Sequence, residues 1–130
     1  MTGLLQEVDA VTIPVPDLER GLAFYRDGLG HEVIWRNEAL GQVGLRVANS
    51  TTEIVLATTL RYEPDWKVNS VDEAASAFVA NGGRVVAGPS DIPIGRLVVV
   101  EDPFANTLVL LDSSKGTYQT DPFGKVIGVA

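Results

Sequence analysis

Residues Val8 to Gly30, VDAVTIPVPDLERGLAFYRDGLG, recur in weaker form 53 positions further along the chain. At that offset Val15 falls on Val68, Leu18 on Val71, Glu19 on Asp72, Tyr25 on Phe78 and Gly30 on Gly83. Each copy reads as an alternating strand, a polar cap, an amphipathic helix and a glycine stop. Self-similarity at a fixed spacing marks one supersecondary unit used twice. The same offset pairs Ala10 with Glu63.

Working outward, Val11, Ile13 and Val15 share one side of a strand and Ala10, Thr12 and Pro14 the other, a period of two that marks a half-buried strand. Pro14 and Pro16 lack amide donors, so the strand ends there or runs along an edge. Asp17 is a helix cap, and Leu18, Leu22, Tyr25 and Leu29 recur at helical spacing until Gly28 and Gly30 stop the run. Short strands follow at 33–35, 43–48 and 53–58, separated by turn-prone segments. The second copy opens near Glu63, and Ser70 with Glu73 forms a capping box for a helix reaching Asn81. Strands at 84–87, 96–100 and 107–112 complete it. The tail, 113–130, lacks periodicity and reads as loop, with one short strand at 125–129. The expected fold is α+β: two βαβββ modules, about 8–58 and 63–112, forming an incomplete barrel with an open cleft on the helix-free side.

The length of 130 residues fits a single domain that buries roughly 65–70% of its unfolded surface. No cysteine is present, which removes disulfides, thiolate metal ligands and a cysteine nucleophile together. A formal charge of −7 and the lack of any basic run make nucleic acid a poor partner. No apolar stretch reaches the ~18 residues of a membrane span, and MTGLLQEVD has no signal-peptide pattern. The expectation is a cytoplasmic protein that meets neither membrane nor nucleic acid. No Gly-x-Ser-x-Gly elbow, phosphate loop or dinucleotide fingerprint occurs.

VPDLERGLAFYRDGLG closely resembles the first-helix signature of the vicinal oxygen chelate superfamily, which includes glyoxalases, bleomycin-resistance proteins and extradiol dioxygenases. EDPFANTLVLLD resembles that family's last hairpin, usually an acid-Pro-x-Gly-Asn turn before an alternating strand. With the repeat, the likeness covers residues 8 to 112. It implies the fold strongly and the chemistry weakly, because one scaffold hosts many reactions. It also implies four ligand positions in metal-dependent members, which here are Ala10, Val55, Glu63 and Val109. Three of these four side chains are hydrocarbon. A divalent ion needs several converging oxygen or nitrogen donors, so no metal and no other cofactor is expected. The only histidine, His31, lies at a helix-to-strand turn and reads as a rim residue.

Alternation supplies the rest of the cleft. Thr12 is in phase with Ala10, Asp65 and Lys67 with Glu63, Glu53 and Ala57 with Val55, and Thr107 and Leu111 with Val109. Arg46 and Arg96 lie on strands of unassigned phase, and Trp35 adds aromatic surface, whereas Trp66 is in phase with the helix side. A mostly apolar cleft with a few polar groups is the usual form of a small-molecule site. The leading expectation is a metal-free protein that binds a small organic ligand through Thr12, Trp35, Arg46, Val55, Lys67, Arg96 and Val109. An alternative is a metal-independent lyase or isomerase with Glu63 or Asp65 as general acid or base. Further alternatives are a metal-dependent lyase or dioxygenase with a displaced site, and a module whose cleft its own side chains fill. The family resemblance implies a homodimer.

Overall fold

Both copies of the repeat build the same element order in the computed structural model, which describes residues 3–130. The chain divides into two compact units: Asp9–Glu63 with Tyr118–Gly128, and Pro64–Thr117 with the N-terminal residues to Val8 and Val129–Ala130. The fold class is α+β, as the patterning predicts.

In the first unit, β1 (Glu7–Pro14) leads through α1 (Leu18–Leu22) to β2 (Val33–Asn37), β3 (Gln42–Arg46) and β4 (Glu53–Ala57). The sheet order is β2-β3-β4-β1, with β1 parallel to β4 and the other pairs antiparallel. Asp17 caps α1 as expected, its Oδ1 accepting from the Arg20 amide at 2.8 Å. The helix does not stop at α1. It widens into a π-helical turn over Ala23–Gly28, where the Leu29 amide reaches back to the Phe24 carbonyl at 3.0 Å. Leu22, Val43, Leu45 and Leu56 are fully buried beneath it, joined by Ile13, Val15, Leu18 and Tyr25. Gly21 allows the close approach: a methyl there would sit 3.0 Å from a Val15 methyl and 3.1 Å from one of Leu56.

The second unit repeats this with β5 (Glu63–Lys67, whose first residue belongs to the first unit), α2 (Val71–Ala80), β6 (Arg84–Ile92), β7 (Gly95–Glu101) and β8 (Thr107–Leu111). Its order is β6-β7-β8-β5, again with one parallel pair, β5 with β8. Val68, Val71, Ala74, Val98, Val100 and Leu110 form its buried core, and Trp66 packs on that helix side. Ser70 caps α2 by accepting from the Glu73 amide at 3.2 Å. A second cap comes from outside the capping box: buried Asp112 accepts from the Val71 amide at 2.9 Å, the Arg96 amide at 3.0 Å and the Ser114 hydroxyl at 2.7 Å.

Register proves the repeat atom by atom. Thr12 stands opposite Val55, and Asp65 opposite Val109. The Val15 amide donates to the Ala57 carbonyl at 3.0 Å, and its counterpart Val68 to Leu111 at 2.9 Å.

The tail departs from the expectation of loop with one strand. Strands β9 (Tyr118–Thr120) and β10 (Val126–Val129) pair as a ribbon. Its turn, Asp121-Pro122-Phe123-Gly124-Lys125, copies Asp102-Pro103-Phe104-Ala105-Asn106 before β8. In each, the aspartate Oδ1 accepts from the second and fourth following amides: 2.8 and 2.9 Å at Asp102, 2.8 and 3.0 Å at Asp121. Both turns leave a phenylalanine at the tip, Phe104 81% and Phe123 89% exposed.

Candidate functional site

In the first unit, the sheet face away from α1 carries Thr12, Trp35, Arg46 and Val55 of the side chains expected to line a site. Ala10, Trp35 and Val55 form a small buried cluster, with Thr12 beside them opposite Val55. Trp35 reaches this face because the strand register shifts between Val33 and Trp35. Val33 packs under α1, whereas the indole two residues on lies on the other side. A bulge has this effect because one extra residue breaks the alternation. The indole lies over Gly44, its register partner on β3, and a methyl at Gly44 would collide with Trp35 Nε1.

Trp35 Nε1 donates to Glu53 Oε1 at 2.7 Å. Glu53 is half-buried, and burial pushes its carboxyl above the ordinary glutamate range. The indole hydrogen bond works against that rise, nearby Asp9 adds to it, and Arg46 weakly opposes it. Arg46 shares this face at the end of β3, in register with Glu53, but its guanidinium leans to Glu32 at 3.4 Å and is exposed. Tyr118 of the tail ribbon packs on Trp35 with ring centroids 4.9 Å apart, and Val126 joins the cluster. The ribbon is tied down where the Arg36 amide donates to the Gly124 carbonyl at 2.8 Å.

Glu63 is half-buried at the start of β5, and burial raises its carboxyl against the opposing charge of Arg61. In the second unit, Asp65 and Lys67 stand opposite Val109 and Leu111, on the sheet face away from α2. Arg96 does not join them. It alternates in step with Val98 and Val100, so it projects to the helix side and pairs with Asp72 at 3.4 Å and Asp91 at 3.3 Å. The expected ligand contact from Arg96 is therefore corrected to a structural ion pair at the start of α2. Two residues on the candidate face escaped expectation as site members: Tyr118, and Glu53 as more than cleft lining. The Asp-Pro-Phe-Gly turn of the tail was the available signal for the first.

The metal-dependent members' donor set does not fit here. Ala10 and Val55 offer only hydrocarbon on the first unit's face, and Val109 does so on the second's. Among the described residues, no group of three or more His, Cys, Asp or Glu side chains is arranged to hold an ion. His31 is engaged elsewhere, its Nδ1 lying 2.9 Å from the Arg46 carbonyl. Among the described residues, no helix is long and apolar enough to cross a membrane.

The model of the Glyoxalase/Bleomycin resistance protein/Dioxygenase superfamily matches residues 7–110. No curated protein matches the chain. Among solved structures, methylmalonyl-CoA epimerase from Mycobacterium tuberculosis is similar at TM-score 0.71 and 20% identity, covering 88% of this chain and 92% of that one. A hypothetical protein from Bacillus halodurans gives 0.67 at 13% identity, with 87% and 98% covered. A Streptomyces coelicolor methylmalonyl-CoA epimerase variant in complex with 2-nitronate-propionyl-CoA gives 0.68 at 21%, with 85% and 99% covered. At these identities the likeness is one of fold.

Proposed function

The chain belongs to the Glyoxalase/Bleomycin resistance protein/Dioxygenase superfamily, and from that premise we propose that it binds a small organic molecule without the metal ion of the family's metal-dependent members. The observation that carries this reading is the pairing of Ala10 and Val55 with Trp35 in one buried apolar cluster. Hydrocarbon there supplies no donor to a cation but suits the apolar part of an organic ligand. Thr12 and Glu53 add polar groups on the same face of the first unit. A thermal-shift screen of small organic molecules, run with and without EDTA, tests the reading. Ligand-induced stabilisation that survives the chelator supports it; stabilisation abolished by the chelator overturns it.

One observation favours a second reading. The carboxyl of Glu63 is raised by burial, which suits a general acid or base in a metal-independent lyase or isomerase. The solved structures of similar fold include methylmalonyl-CoA epimerases. In that reading Glu63→Gln abolishes turnover and retains binding, and an unchanged rate removes Glu63 from the chemistry. A homodimer in the cytoplasm accompanies either reading; sedimentation at micromolar concentration tests the pairing.

A further inference from the structure

The helix-free face of the first unit is not open to solvent. Ala10, Thr12, Trp35 and Val55 are buried, none of them more than 8% exposed. The chain's own tail ribbon covers them. Tyr118 of β9 packs on Trp35 with ring centroids 4.9 Å apart, and Val126 of β10 joins the same cluster. Gln119, Phe123 and Ile127 of the ribbon are exposed.

The bonds within the ribbon differ from those that tie it down. Thr117 and Ala130 close its open end, each amide donating to the other's carbonyl at 3.0 and 3.1 Å. Asp121 closes its turn by accepting from the Phe123 and Lys125 amides. Against the backbone of the sheet it makes one isolated bridge, Arg36 with Lys125, where the Arg36 amide donates to the Gly124 carbonyl at 2.8 Å. Asn37 Nδ2 adds a long contact, donating to the Tyr118 hydroxyl at 3.5 Å. The neighbouring strands β1 and β4, by contrast, pair continuously from Ala10 to Pro14. A two-stranded ribbon leans on what it covers, and a segment with few outside ties opens at lower free energy than the whole fold. This one can detach as a body with its internal bonds kept.

We propose that the ribbon is a lid: Tyr118 and Val126 stand where the apolar part of an organic ligand would lie, and binding there lifts the ribbon off the sheet. The proposal rests on the reading of this face as a ligand site and adds how that site is controlled. A closed lid lowers apparent affinity by the fraction of molecules in which it is open.

The Arg36 amide reports on the ribbon, because its acceptor is Gly124; Val43 and Leu45, buried on β3, report on the sheet. Hydrogen exchange of the intact protein is followed by NMR with and without benzyl alcohol, a neutral aromatic probe, and the Trp35 indole signal registers binding. A lid predicts that Arg36 is protected roughly tenfold less than Val43 and Leu45, or lower still. It also predicts that the probe moves the Trp35 signal and lowers Arg36 protection further. Val126→Ser loosens the ribbon while leaving both rings in place. That variant is expected to lower Arg36 protection and to tighten the probe by the same factor, roughly threefold or more. Arg36 protection equal to that of Val43 and Leu45 overturns the lid. A Trp35 shift with Arg36 protection unchanged or increased also overturns it, and leaves the ligand face standing. No Trp35 shift in either protein overturns the ligand face and the lid's role with it. Should Val126→Ser fail to fold, exchange in the unaltered protein, with and without the probe, decides alone.

Discussion

Trp35 Nε1 donates to Glu53 Oε1 at 2.7 Å, crossing from β2 to β4 over Gly44 of β3. Three residues on three strands thus make one arrangement. The glycine leaves room, the indole fills it, and the carboxylate fixes the indole's edge.

Glycine 44 is therefore predicted to be intolerant of even a methyl group. Gly44→Ala places a carbon against Trp35 Nε1, so the indole must leave or the strands must part. Overpacking of this kind costs typically about 1–3 kcal/mol. Urea denaturation measures that cost, and a blue-to-red change of Trp35 emission follows the indole's exposure. A variant of unchanged stability with the indole bond intact contradicts the arrangement.

Glu53 gives a pH signature of definite sign. Its carboxyl is raised, foremost by burial, so the native state keeps this proton to higher pH than the unfolded chain. Stability from this group is full below the ordinary glutamate range and falls as pH rises through the interval up to the raised value. Glu53→Gln removes that fall. The variant's denaturation midpoint is expected to gain on the unaltered protein as pH rises from the acid side toward neutrality; a gap that shrinks instead contradicts the assignment.

Asp112 has the opposite sign. Burial pushes its carboxyl up, but hydrogen bonds from the Val71 amide, the Ser114 hydroxyl and amide and the Arg96 amide outweigh this and hold it below the ordinary aspartate range. Its contribution is present above the unfolded value and is lost as pH falls through the depressed folded value. Asp112→Asn is expected to lose about 1–3 kcal/mol near neutrality, with the deficit shrinking in acid. Denaturation midpoints across pH measure both; a deficit that grows in acid counts against it.

The duplicated turn offers a paired experiment. Ala105 holds φ at 69° and its counterpart Gly124 at 82°, a left-handed conformation that a side chain disfavours by about 1–2 kcal/mol. Glycine in the unfolded chain offsets about 0.4–1 kcal/mol of that. Ala105→Gly is thus expected to stabilise by a few tenths of a kcal/mol to about 1 kcal/mol, and Gly124→Ala to destabilise by a similar amount. Thermal melts of the two variants should shift in opposite directions.

Much of the fold was legible because the repeat is written in side-chain periodicity. Val15 and Val68 occupy equivalent positions down to the same backbone hydrogen bond, and Asp17 and Ser70 cap as their chemistry requires. What periodicity carries poorly is local irregularity. The bulge before Trp35 reverses its face relative to Val33, and the π-helical turn after Leu22 adds a residue to one turn of helix. Arg96 was readable in principle, since Val98 and Val100 set its phase. Tyr118 was harder: its partner Trp35 lies far away in the chain, and no alternation in the tail pointed to it. Glu53 was legible as lining, but only the indole bond singles it out.

The central claim is that this scaffold has kept its shape while losing the donors that hold a cation. Metal content decides it most directly: purified protein is equilibrated with zinc, manganese, cobalt and nickel ions, dialysed, and assayed by elemental mass spectrometry. The account predicts only traces of each metal relative to protein. One equivalent of any divalent ion retained per chain would contradict it.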